Sequence, residues 1–371
     1  MSKIFLIGDI HLSIGYPNKT EKWLKVHREY FNDFLIPMLT EKVEEGDMIL
    51  QLGDFFDNRN VIPINILNYA MDIIVRISEI APFHLIIGNH DCWSRSSDEI
   101  NTIRPFKYIP NVNVYDKVTQ INFEGKELLM MPFIENRLEQ IKQIDDNNDC
   151  DYLFCHSDLQ GARMHLTSIA NKNYDKIGID EFKGFDGVYS GHIHLLQKNK
   201  NFTFVGSAFQ MDRNDYNEKK GIFILDVETG KTEFIENKIS PVFKKVRIVE
   251  EDDIETLEEL KDTKDYIDIF ISNNLLVSNR KLRRKLEILL ENGNFASIEY
   301  IDDITNDLEE INESEVIDVY DEDIDISIQL DYEDYVKEYI LKQKYDNSKF
   351  KDGVIDEYNN IIKIYKDNYD A

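Results

Sequence analysis

Five short apolar runs in the first 240 residues all stop in the same way, at a turn that carries an acid, an amide or an imidazole. Lys3 to Gly8 leads into Asp9-Ile10-His11, and Asp47 to Leu52 leads into Gly53-Asp54. Pro82 to Ile87 leads into Gly88-Asn89-His90-Asp91, Asp151 to Cys155 into His156-Ser157, and Gly187 to Gly191 into His192-Ile193-His194. Runs of this length bounded by turn residues read as buried β-strands. Helical periods separate the first three. From Thr20, Trp23, Val26, Tyr30 and Phe34 recur at spacings of three and four, and Pro37 marks the end of that helix or a kink. Pro63 opens a crossover helix over 63–80. A β-α-β-α-β series implies a parallel sheet. Ligands bind such sheets beyond the carboxyl ends of the strands, where all five turns fall.

Taken singly, each turn is ordinary, because Gly, Asn and Asp are turn formers. The set is not. Five of the eight histidines (His11, His90, His156, His192 and His194) follow predicted strands, beside Asp9, Asp54 and Asn89. Asp9 and His11, two residues apart, are expected on one side of the chain. Carboxylate, amide oxygen and imidazole together form the ligand set of a paired transition-metal centre. Two divalent ions against two aspartates leave the centre net positive, so it attracts a phosphate and acidifies water. No His-Glu-x-x-His helix and no Gly-x-x-x-x-Gly-Lys-Ser/Thr loop is present, which excludes zinc-protease and P-loop chemistry.

Further along, Val118 to Phe123 and Glu127 to Pro132 read as paired strands about a Glu124-Gly125 turn. Leu138 to Ile144 reads as a short helix, and Phe202 to Val205 and Gly221 to Val227 as further strands. From Pro241 the character changes. Val242 to Val249, Tyr266 to Ile271 and Ala296 to Ile301 read as strands. Between them Ser278-Asn279 caps a helix with Leu282, Leu286, Leu289 and Leu290 on one face, ending at Gly293. Arg280, Lys281, Arg283, Arg284 and Lys285 surround that face, a basic cluster suited either to nucleic-acid phosphates or to balancing nearby acids. An acidic run from Asp302 to Asp325 reads as a linker. Two amphipathic segments follow, around Tyr332 to Ile340 and Val354 to Tyr365. Each is too short to be stable alone, so they pack on their own domain or on a partner.

Net charge is −28, and the part after Pro241 holds 17 basic and 35 acidic residues. That balance argues against broad adhesion to nucleic acid, which needs Lys and Arg to displace counterions, but leaves a local site open. Hydrophobic residues make up 42%, as in a globular protein. Neither a secretory leader nor a membrane span is expected. Cys92, Cys150 and Cys155 lack metal or disulfide spacing, which points to a reducing cytoplasm, the host's if the protein is viral.

The series Asp9-x-His11, Gly53-Asp54, Gly88-Asn89-His90-Asp91, His156 and Gly191-His192-x-His194 resembles the full motif set of the calcineurin-like metallophosphoesterases over residues 1 to about 240. The resemblance implies an α/β fold: a four-layer α-β-β-α metallophosphoesterase sandwich. It implies two divalent ions, Mn2+ first with Fe or Zn as alternatives. Asp9, His11, Asp54 and His194 would hold one ion, and Asp54, Asn89, His156 and His192 the other. His90 would protonate or stabilise the leaving oxygen. Protein Ser/Thr phosphatases read Gly-Asp-x-Val-Asp-Arg-Gly and Gly-Asn-His-Glu at the second and third motifs. Gly53-Asp54-Phe55-Phe56-Asp57-Asn58 and Gly88-Asn89-His90-Asp91 are more similar to the SbcD-type DNA nucleases of double-strand-break repair and to their shorter phage relatives. That branch implies a nuclease domain over 1–240, a small α+β capping domain over 241–330 that guides DNA, and a helical segment over 331–371. The helical segment would bind an SbcC-type coiled-coil ATPase. The branch also implies 3′-5′ exonuclease and single-strand endonuclease activity, and homodimers. A phosphatase or cyclic-nucleotide phosphodiesterase is the alternative, and a non-catalytic scaffold a third. One departure is Asp57, where many of these nucleases carry a histidine that serves the substrate phosphate.

Overall fold

Strand alternation decides which side chains meet which layer. A computed structural model describes residues 2–13, 21–94, 97–166, 168, 176–249, 253–260, 263–271, 273–292 and 297–302. The chain divides into two units, Met1–Tyr320 and Asp321–Ala371, and every described residue belongs to the first. The acidic linker beyond Asp302 and both C-terminal amphipathic segments lie outside the described residues.

The order opens β1 (Lys3–Ile7), α1 (Glu21–Glu29), a π-helical segment (Tyr30–Leu35), α2 (Ile36–Lys42), β2 (Met48–Gln51), α3 (Ile64–Ser78) and β3 (Phe83–Ile86). It continues β4 (Cys92–Ser94), β5 (Ser97–Asn101), β6 (Val112–Tyr115), β7 (Thr119–Phe123), β8 (Lys126–Met131), α4 (Arg137–Asp145), β9 (Tyr152–His156) and β10 (Gly187–Gly191). Then come β11 (Gln197–Asn199), β12 (Phe202–Phe204), β13 (Gly221–Asp226), β14 (Thr232–Glu236) and β15 (Phe243–Ile248). Last are α5 (Ile254–Leu260), β16 (Tyr266–Ile271), α6 (Asn273–Ser278), α7 (Arg280–Asn292) and β17 (Ser297–Asp302).

Two six-stranded sheets form the frame, in the orders β14-β13-β1-β2-β3-β6 and β11-β12-β10-β9-β8-β7. Ile4, Leu6, Met48, Leu50 and Ile86 face Leu128, Met130 and Phe154 across the space between the sheets. The alternate residues Phe5, Ile7, Ile49, Phe83 and Leu85 pack under the helices against Tyr30, Phe31, Leu35, Ile73 and Ile77. Leu129, Met131, Leu153 and Cys155 meet Ile144 and Phe182 on the far side. Both faces of each central strand are therefore buried, and the runs are apolar throughout. The expected four-layer α-β-β-α sandwich follows.

The structure corrects several expectations. Neither sheet is purely parallel: β13 runs antiparallel to β1 and β14 to β13, while β7 and β11 are antiparallel edges of the second sheet. Of the two outcomes open at Pro37, an end or a kink, the end does not occur in the helix that the structure describes from Glu21. This helix widens at Tyr30–Leu35, where Ile36 N–H reaches Phe31 O, and continues to Lys42. Proline lacks an N–H, and the wide turn before it takes up the mismatch that otherwise breaks a helix. The aromatic stripe on that helix packs in the core, as its periodicity implies. β4, β5, β6, β11 and β14 have no counterpart in the sequence reading, being short or weakly alternating. The Glu124-Gly125 turn forms with both residues at positive φ (53° and 84°), the geometry a two-residue hairpin requires.

After Pro241, β15, β16 and β17 form a parallel three-stranded sheet. Its own core joins Val246, Ile267 and Ile269 to Leu282 and Leu286 of α7. Asn279 Oδ1 accepts the Leu282 N–H at 2.9 Å and caps α7 as expected. Arg213 binds Asp268 at 2.9 Å, and Phe243 N–H donates to Gln210 Oε1 at 2.7 Å, tying this module to the sandwich. No described helix is long and apolar enough to cross a membrane.

Candidate metal centre

The first sheet delivers Asp9 and His11 after β1, Asp54 after β2, and Asn89 and His90 after β3. The second delivers His156 as the last residue of β9, and His192 and His194 after β10. All eight converge. Asp9 Oδ2 lies 3.4 Å from His194 Nε2, and His11 Nε2 lies 3.1 Å from His194 Nε2. Asp54 Oδ2 stands between the two halves, 3.6 Å from His11 Nε2 and 3.3 Å from His156 Nε2. Asn89 Oδ1 lies 2.9 Å from His156 Nε2 and 2.8 Å from His192 Nδ1. The donor atoms of Asp9, His11 and His194 fall within 4.8 Å of one another, as do those of Asp54, His156 and His192, and those of His11, Asp57 and His90.

Sharp backbone turns bring these side chains together. His11 (φ 47°), Asp54 (φ 54°) and His192 (φ 81°) all occupy the left-handed region that non-glycine residues rarely adopt. The closeness of Asp9 and His11 therefore comes from a left-handed turn, because β1 has ended at Ile7 and strand alternation no longer applies. Gly53 has φ 101°, and a Cβ there would lie 2.3 Å from His156 Nδ1. At Gly88 a Cβ would lie 2.2 Å from both the N and the Oδ1 of Asp54. These two motif glycines are the condition for bringing the β2, β3 and β9 turns into contact.

The donor set fits metal ions. His156 Nδ1 donates to Leu52 O at 2.8 Å, so in the neutral ring Nε2 carries a lone pair. That lone pair faces the oxygens of Asp54 and Asn89, and the ring nitrogens of His11 and His194 face each other. Acceptors opposed at these distances need a cation or a proton between them. Without metal, protons serve. Burial disfavours a charged imidazole, yet Asp57, Asp54 and Asp9 hold His11 up at about 9, and Asp54 and Asp9 hold His156 up at about 10. Burial also opposes ionisation of Asp9 and Asp54, but His194 and His156 keep Asp9, and His156 and His11 keep Asp54, below the usual range.

His90 sits at the rim, with its side chain 36% exposed. Its N–H donates to Asp54 Oδ1 at 2.7 Å, and its Nδ1 donates to Asp57 O at 2.7 Å, which leaves Nε2 for a substrate. Burial lowers its pKa.

The sequence profile of calcineurin-like phosphoesterases matches residues 2–196. The chain belongs to that family. Like its family, this calcineurin-like phosphoesterase is a metal-dependent hydrolase of phosphoesters, and its His/Asp clusters supply places for the metal. It is similar to exonuclease subunit 1 of Enterobacteria phage T4, 28% identical over 249 residues, which cover 63% of this chain and 68% of that one. It is also similar to protein 244L of Invertebrate iridescent virus 6, assigned as a phosphoesterase. That match is 24% identical over 248 residues, 64% of this chain and 81% of the other.

Three further residues support the site, of which the sequence singled out Asp57, quoted Asp91 within a motif without a role, and left Lys220 unmarked. Asp91 is fully buried and accepts N–H bonds from Phe55, Phe56 and Gly88, stitching the β2 and β3 turns together. Burial and the Asp54 charge push its pKa up to about 6. Asp57 places Oδ1 3.5 Å from His11 Nδ1, behind that ring. Lys220 is buried and donates to His194 O (2.7 Å), Asp215 Oδ1 (3.0 Å) and Glu218 Oε2 (2.6 Å). Asp57 and Asp91 lie inside the motifs and were legible as candidates. Lys220 had no local signal. The other three histidines stand elsewhere: His27 is packed between Trp23 and Phe209, His84 is stacked on Tyr115, and His165 lies beside Asp215 and Glu218. Arg280, Lys281, Arg283, Arg284 and Lys285 are all exposed on α7, outside this cluster.

Proposed function

We propose that this phosphoesterase is the metal-dependent DNA nuclease subunit of a cytoplasmic double-strand-break repair or recombination complex. The reading rests above all on two donor groups meeting at Asp54 in a chain similar to an exonuclease subunit. One ion would be held by Asp9, His11, Asp54 and His194, and a second by Asp54, Asn89, His156 and His192. The mixed nitrogen and oxygen set suits Mn2+ first, with Fe or Zn as alternatives. Such ions polarise the phosphoester and acidify the attacking water. His90 is oriented by the Asp57 carbonyl at Nδ1; once its ring is doubly protonated, it would give the Nε2 proton to the leaving oxygen and return to the neutral Nδ1–H form, while its backbone N–H keeps Asp54 in place. Cleavage is 3′-5′ exonucleolytic on duplex ends and endonucleolytic on single strands.

Residues 1–240 carry the chemistry, 241–330 guide DNA, and 331–371 dock an SbcC-type coiled-coil ATPase, with homodimers of the nuclease as the assembling unit. The exposed cations of α7 are the candidate groups for meeting phosphates. A rival reading, a phosphatase or cyclic-nucleotide phosphodiesterase, draws on the net charge of −28, since a small substrate needs no basic track. The test is digestion of end-labelled duplex and single-stranded DNA with Mn2+, beside a chromogenic phosphodiester, for the wild type and His90→Ala. DNA degradation that needs Mn2+ and falls at least ~100-fold in the variant supports the nuclease. Hydrolysis of the small ester with DNA untouched, even after the ATPase is added, sinks it in favour of the rival.

A further inference from the structure

His192 turns its two ring nitrogens toward different oxygens. Nδ1 lies 2.8 Å from Asn89 Oδ1, within the donor group proposed for the second ion. Nε2 lies 3.2 Å from Asp158 Oδ1, and the Asp158 carboxylate is itself bound by Lys176 Nζ. A neutral imidazole has one N–H and one lone pair. Nδ1 can face a cation only when the proton sits on Nε2, and a carboxylate on Nε2 selects that tautomer. It also fixes the rotation of the ring and raises the basicity of the inward nitrogen. His156 reaches the same end with a backbone partner, its Nδ1 donating to Leu52 O at 2.8 Å. His192 emerges from β10 with φ 81°, and among the described residues the oxygen at its Nε2 is the Asp158 carboxylate. Asp158, two residues past His156, thus does with a side chain what Leu52 does with its backbone.

We propose that Asp158 is a positioning residue: its carboxylate, held by Lys176, orients His192 so that Nδ1 faces the second metal ion. The inference rests on the two-ion reading of the centre. It explains why an acid and a base stand beside Asn89 and His192 in the wall of a cavity of about 180 Å3 that also includes Phe133 and Arg137.

The test titrates Mn2+ into the full chain calorimetrically and follows the spin-coupled two-ion spectrum by electron paramagnetic resonance. It compares the wild type with Asp158→Ala, Asp158→Asn, His192→Ala and the double variant Asp158→Ala/His192→Ala. The expected result for Asp158→Ala is a second equivalent bound ~10–100-fold more weakly, with the first unchanged. The coupled spectrum should then give way to that of isolated Mn2+. Asp158→Asn, whose amide oxygen still accepts from Nε2, should recover most of the affinity. The double variant should bind no worse than His192→Ala, because both changes break one interaction. Loss of the Lys176 ion pair should lower the metal-free Tm of Asp158→Ala only slightly, with the weakening of metal binding confined to the second equivalent. Two equivalents bound normally by Asp158→Ala, or a lowered metal-free Tm with equal weakening at both sites, overturns the role of Asp158. A wild type that binds one equivalent instead overturns the two-ion reading, and the inference falls with it.

Discussion

At Gly53 one methyl group decides whether the centre assembles. With φ at 101° and a Cβ position 2.3 Å from His156 Nδ1, any side chain must push the β2 turn away from β9. Gly53→Ala should therefore cost about 1–3 kcal/mol of stability and abolish tight Mn2+ binding. Unchanged binding in calorimetry would contradict this packing. The buried imidazoles give a second prediction. His11 and His156, held at about 9 and about 10, stand above the ordinary value of 6.5. In the metal-free protein their protonation contributes stability that is complete below pH 6.5 and is lost as pH rises through 9 and 10. The metal-free Tm should thus fall from pH 7 to pH 10. Metal binding has the opposite dependence, because ligation needs neutral rings. Mn2+ affinity should rise over the same range, with roughly two protons released per protein near pH 7, read from calorimetry in buffers of different ionisation enthalpy. Binding without proton release would count against His11 and His156 as ligands.

Among the elements, α7 shows one sequence pattern serving two ends. Leu282 and Leu286 fall on the buried face and close the core of the C-terminal sheet, while the five cations lie on exposed positions. A helix needs only about a third of its circumference for packing, so the rest is free to carry charge. Reversing Arg283 and Arg284 to Glu should leave the Tm unchanged, because neither is buried. If those residues meet phosphates, the slope of log affinity for DNA against log salt should flatten by about one unit for each phosphate that is no longer neutralised. An unchanged slope would make the cluster a solvated face that balances nearby acids. The first helix shows how local rules yield to packing. Its apolar stripe packs in the core, and Pro37, read as an end or a kink, does not end it, because the π-helical turn at Tyr30–Leu35 absorbs the missing N–H and keeps Tyr30, Phe31 and Leu35 in the core.

Across the whole molecule, the centre joins two sheets that otherwise meet through an apolar core. Asp9, His11, Asp54 and Asn89 hang from one, and His156, His192 and His194 from the other. An ion held by both acts as a clamp between layers, and a ligand bound only by the folded state raises stability by mass action. At a hundred times its dissociation constant, Mn2+ should add about 2.7 kcal/mol, which for a domain of this size is a Tm rise of about 5–10 °C. Asp54→Ala, which removes the carboxylate standing between both donor groups, should lose most of that rise in a thermal melt with and without chelator.

The sequence determined the five buried strands that lead into the centre, the turns that close them and the kinds of side chain those turns carry. Burial demands continuous apolar runs, and metal chemistry demands particular donor atoms, so both are written locally. The order of strands in two mixed sheets, the left-handed turns at His11, Asp54 and His192, and the partners behind the ring nitrogens were decided only by the tertiary structure. Asp158 and Lys220 lie outside the recognisable motifs and act through distances that no spacing along the chain encodes. Lys220 reaches His194 O from 26 residues away, and Lys176 reaches Asp158 from 18. Such pairings exist because folding stacks the ends of separate strands on one edge, where each charge must find a partner out of water.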